Sequence, residues 1–144
     1  MKYWATIIIF CHLCFPQSGF LHREQFTRVT QYYIEEQHPS LNLLGVVVYS
    51  DKNNVVLRLD IQETNVSSID VPGIFSSLGK ISLYSEETID ELICIFHPDN
   101  IETIPLIYSA KTSCTTACFL ENTMTLSDWR GTCLISRLNV SENR

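Results

Sequence analysis

The sequence predicts a mainly β fold, a sandwich of two Greek keys preceded by one short helix. Three observations carry that expectation. Runs of β-branched and aromatic residues end in Asp/Asn-rich turns. The order hairpin, loop, strand occurs twice, with a period of about 50 residues. The 144-residue chain is 45% hydrophobic, enough for one core and too little for two comfortable ones.

The N-terminus reads as an address. Met1-Lys2 places a positive charge ahead of a mostly apolar run at 4–15, and Pro16-Gln17-Ser18-Gly19 follows with a breaker and small residues. This is the charge, apolar, small order of a secretory signal peptide, with cleavage expected near Gly19. Three segments are therefore expected: a signal peptide at 1–19, an N-terminal extension at 20–40, and a β-rich domain at 41–144. No later run approaches the roughly 18 apolar residues of a membrane span, so no membrane anchor is expected.

Within the extension, Phe26, Val29 and Tyr33 recur at helical spacing until Pro39. Residues 44–61 read as a hairpin around Asp51-Lys52-Asn53-Asn54, because β-rich runs flank that turn. Pro72-Gly73 punctuates the chain, and 80–85 reads as a short strand. Residues 85–93 fit either a helical turn capped by Ser85 or a polar loop. Strands are expected at 92–96, at 103–108 (an edge strand, because of Pro105) and at 132–138.

Charge and cysteine content narrow the function. Ten Lys and Arg against sixteen Asp and Glu leave a net charge of −6, with no basic field for nucleic acid. Cys11 and Cys14 fall in the signal. Cys94, Cys114, Cys118 and Cys133 remain, and an even count in an oxidising compartment predicts two disulfides. Cys114 and Cys118 are too close to favour pairing with each other, so each is expected to reach Cys94 or Cys133. The spacing lacks the paired knuckles of a four-thiolate zinc site. Asn65-Val66-Ser67 and Asn139-Val140-Ser141 match the N-glycosylation pattern, which makes Asn65 and Asn139 candidate glycan sites.

Two stretches resemble the opening hairpin of a βγ-crystallin-like Greek key: 96–103, from Phe96-His97-Pro98-Asp99, and a degenerate copy at 49–56. The stretches 77–83 and 129–134 resemble the closing strands. The pattern covers about residues 43–138. It departs from the family where Thr103 and Val56 replace the hairpin glycine and Cys133 replaces a latch serine. The resemblance implies a two-Greek-key sandwich. The calcium-binding members carry acidic or amide residues just before the closing strand, where this chain has Leu78-Gly79 and Trp129-Arg130, so no calcium is expected. Crystallin-fold egg glycoproteins of parasitic worms, which the chain resembles in size, secretion and glycosylation, bind host immune proteins. That likeness implies an extracellular immune or receptor protein as partner.

Catalytic chemistry finds little footing. His97-Pro98-Asp99 spells a chaperone tripeptide, but its apolar flanks make it a turn. Glu86, Glu87, Asp90 and Glu91 sit among polar residues and read as a solvated acidic face. His22, His38 and His97 are the histidines after the signal, and no nucleophile motif accompanies them. Tyr32, Tyr33 and Trp129 are candidate binding anchors, weighed against roles in the core. The expected function is a secreted, non-catalytic glycoprotein that binds an extracellular protein and carries no cofactor. A cystatin-like protease inhibitor, with residues 26–37 as the helix wrapped by strands, is the alternative. A small hydrolase, built around His97 with a carboxylate and a nucleophile, stands behind it.

Overall fold

The computed structural model describes residues 19–138, so residues 1–18 of the expected signal peptide and Asn139 lie outside the described residues. The chain forms α1 (Arg23–Gln37), β1 (Asn42–Asp51), β2 (Asn54–Gln62) and a short 3-10 turn (Val66–Ser68). Then come α2 (Val71–Ser82), β3 (Glu91–His97), β4 (Leu106–Lys111), α3 (Thr112–Phe119), α4 (Leu126–Thr132) and β5 (Ile135–Leu138). The five strands lie in one sheet in sequence order, antiparallel except for the parallel β2–β3 pair.

This corrects the expected sandwich. β-strands are present, but the fold is mixed α/β with one sheet rather than two stacked keys. The expected strand at 80–85 falls on the last residues of α2, to Ser82, and on the turn after it, and the residues expected to close the second key lie largely in α4. Pro72-Gly73 marks a helix start rather than a turn. Asp70 precedes the helix and accepts a hydrogen bond from the Gly73 amide through Oδ1 at 3.0 Å. Proline in the first turn gives up only an amide that would lack an intrahelical partner. Because α2 carries the chain from β2 back across the sheet, β3 arrives parallel to β2.

The hairpin is as expected. Lys52 and Asn53 both take positive φ, 46° and 75°, which suits a two-residue turn between twisted strands. Asp51 faces Asn54 across it. Nor are residues 20–40 an appendage, because Phe26 and Ile34 of α1 are fully buried in the same core as the sheet. The core lies between the sheet and the helices. It holds Val46 and Val48 of β1, Leu57, Leu59 and Ile61 of β2, and Leu92, Cys94 and Phe96 of β3, packed with Ile74, Phe75 and Leu78 of α2. A Cβ at Gly79 would stand 3.1 Å from the Thr115 methyl, so α2 and α3 meet closely at that glycine.

Cys114 and Cys133 form a disulfide that ties the start of α3 to the end of α4. Cys94 and Cys118 are buried thiols, so the structure holds one bridge where two were expected. Cys94 points from β3 into the apolar layer opposite Leu59 and Tyr108, where it packs as a small apolar side chain. Burial pushes both thiols upward, and the Asp60 charge adds to the effect at Cys94.

Candidate binding surface

Strand alternation sends successive side chains to opposite faces, so each strand that lines the core also builds a second face. Apart from Val56, which is buried on the other side, the buried hydrophobic residues of the strands share the helix side. The other side carries rows fixed by the strand register. One runs Val47, Arg58, Ile93, Ser109, Ile135, and the next Gly45, Asp60, Ile95, Ile107, Arg137. Tyr49, Val56, Glu91 and Lys111 form a third. Ile93, Ile95 and Ile107 are half-buried, and Val47 and Ile135 are exposed.

A charged cluster sits on this open face. Asp60 accepts from Arg58 Nε at 2.9 Å through Oδ2, and its Oδ1 lies 2.7 Å from His97 Nε2. The Arg58 guanidinium carbon is 5.9 Å from the Tyr49 ring centre. The Asp60 side chain is 15% exposed, against 34% for Arg58 and 37% for His97, so the carboxylate is sheltered and its partners face outward. The turn after His97 is held against β2. Asp99 accepts from Gln62 Nε2 at 2.8 Å and from the Thr64 hydroxyl at 3.1 Å.

Two arrangements have the outline of acid–base chemistry. His97 and Asp60 make a histidine–carboxylate pair, but among the described residues no hydroxyl or thiol bonds to that imidazole. His38 Nε2 lies 2.9 Å from Ser77 Oγ, a nucleophile–base spacing. Ser77 is buried within α2, however, where a substrate cannot reach it, and the pair instead fastens the end of α1 to α2. Burial lowers the His38 pKa, opposed by the Asp70 charge and the Gly73 backbone.

The residues singled out in the sequence scatter. Tyr32 is 74% exposed on α1. Its neighbour Tyr33 is half-buried and lines an apolar groove of about 510 Å³ with Val29, Ile81, Leu83 and Tyr84. Trp129 is corrected from anchor to core. It is fully buried, it donates to Thr115 Oγ1 at 3.3 Å, and its ring packs on Phe75 and Phe119. Asn65 is exposed just ahead of the 3-10 turn, with its Oδ1 accepting from the Ser67 hydroxyl at 2.5 Å.

The acidic stretch is not a free face. Glu86 meets His22, and Glu87 accepts from Arg23 Nε at 2.7 Å and Nη2 at 2.6 Å. Asp90 accepts from the Val55 amide at 2.8 Å. These contacts strap α1 and β2 to the loop before β3. A cleft of about 620 Å³ lies beside the disulfide between Lys111, Arg137, Asp90 and Glu91. Among the described residues no three His, Cys, Asp or Glu side chains gather where they could hold a metal ion.

Sequence reading missed the Arg58–Asp60–His97 cluster. Arg58 and Asp60 alternate with apolar neighbours in β2, a visible signal, but His97 joins them only because β3 is parallel and in register. No family model, curated protein or solved structure matches the chain.

Proposed function

We propose that the protein is a secreted, non-catalytic glycoprotein that binds an extracellular protein through the uncovered face of its sheet. The observation that carries this reading is the composition of that face. Ile93, Ile95 and Ile107 form an apolar centre, and Tyr49, Arg58, Asp60, His97 and Arg137 border it, each of them half-buried or exposed. An apolar centre with a polar, aromatic and arginine-bearing border is how protein interfaces are built. The Cys114–Cys133 disulfide and the exposed acceptor Asn65 support an oxidising, extracellular setting. The partner is of the immune or receptor class, with a contact surface flat enough to lie on a sheet.

The test compares the wild-type protein with Ile95→Glu in capture from extracellular fluid, followed by calorimetry with the purified partner. A partner retained by the wild type and lost by the folded variant is the expected result. Equal capture by both proteins would sink the assignment of the face. The inhibitor reading has one observation in its favour, α1 packing on the β1–β2 hairpin through Phe26 and Ile34. A screen against papain-like proteases decides it.

A further inference from the structure

The two edges of the sheet are built differently. β5 is a four-residue strand, Ile135–Leu138, with Arg137 in it, and a short charged edge resists pairing with another chain. The other edge, β1, runs ten residues, Asn42–Asp51, with neither proline nor lysine. Its only charge is the terminal Asp51. A bulge between Leu43 and Gly45 guards one end and leaves 45–51 in regular register with β2.

Hairpin geometry tells which backbone groups of that stretch are free. In a two-residue turn the closing pair, Asp51 and Asn54, exchanges both hydrogen bonds, so Tyr49, Val47 and Gly45 also bond to β2. Val46, Val48 and Ser50 then point their amides and carbonyls away from it. Val55 corroborates the phase from the other strand. It lies opposite Ser50, and its N–H and C=O turn away from β1 to bond Asp90. At β2 those outward groups find a partner; at β1 the outward groups meet the open edge.

We infer that β1 is a self-pairing edge, joining a second copy of this chain antiparallel about a two-fold axis to form one ten-stranded sheet. The occupant follows from the strand itself. Pairing centred on Val48 uses all seven residues beyond the bulge, and it matches the outward groups of Val46 to those of Ser50 in the partner copy. Each Val47 then lies opposite a Tyr49 on the open face, a β-branched–aromatic cross-strand pair formed twice. The register keeps core-facing residues opposite core-facing ones, and it sets Asp51 against Gly45, so like charges do not meet. Such an isologous contact closes at two copies.

The test measures mass by light scattering and sedimentation velocity over a dilution series, on the protein as processed by the producing cell. The wild type is expected at twice the monomer mass. Ser50→Pro deletes an outward amide without touching the β1–β2 ladder, and Val47→Lys places a charge on the edge. Each is expected to weaken the dimer by more than about tenfold while leaving the far-ultraviolet spectrum unchanged. Should Ser50→Pro fail to fold, Val47→Lys carries the test alone. A wild type that is monomeric throughout, a dimer that survives the folded variants, or open-ended aggregates in place of a dimer would overturn the inference.

Discussion

The two faces of the sheet are written by the same strands, residue by alternate residue, yet they obey different rules. On the helix side Leu57, Leu59, Ile61 and Leu92 are fully buried and Phe96 nearly so. On the open side, one residue along each strand, Arg58, Ile93, Ile95 and His97 keep part of their surface in water. The helix side therefore sets whether the chain folds, and the open side can change its chemistry at small cost to stability. That division is what a binding surface on a small domain requires.

The sharpest way to break this comparison is a paired truncation on β3. Phe96→Ala should cost about 3–5 kcal/mol in chemical denaturation, because it opens a cavity among side chains that relax only partly. Ile95→Ala, its neighbour on the open face, should cost about 1 kcal/mol. Equal costs would mean that the open face is packed as tightly as the core. Next in size is the bridge: replacing both Cys114 and Cys133 by serine releases a loop with a sequence separation of 19, worth about 3 kcal/mol in the denatured chain. The same denaturation curves measure it, with the loss expected to fall on α3 and α4 rather than on the open face.

Asp60→Asn sharpens the comparison from the open side. It removes a carboxylate shared by Arg58 and His97, and a cost of about 1 kcal/mol is expected because both partners remain accessible to water. Under the proposed binding role, its effect on partner capture should be far larger than its effect on the melting curve. The smallest effect is the pH response of His38. Its folded pKa is depressed by burial, so the unfolded chain binds the extra proton first as pH falls. Stability from this group is present above its unfolded value of about 6.5 and declines as pH drops below it. His38→Gln should flatten that part of the stability–pH profile.

How far the sequence revealed this architecture depended on the element. The β1–β2 hairpin was legible because its turn residues and its alternation agree. α1 was legible from its apolar spacing, although its place in the core was not. α2 was misread because Pro72-Gly73 looks like a turn, whereas the pair serves a capped helix start, and Gly79 farther along serves a close helix contact. α3 and α4 hid behind threonine and serine, poor helix formers that stay helical here through tertiary packing around Trp129 and the bridge. The open-face cluster was out of reach for another reason. Asp60 and His97 are far apart in the chain, and only the crossover through α2 brings them together.

Trp129 has a consequence for anyone following this protein in solution. It is the one tryptophan among the described residues, sealed between Phe75 and Phe119 and one helical turn from the Cys133 sulfur. Its indole emission should be blue-shifted and quenched by the bridge in the native state. Reduction would then brighten it before the spectrum moves, and unfolding would shift the spectrum to the red. The chain thus carries an intrinsic fluorescent reporter that separates loss of its crosslink from loss of its core.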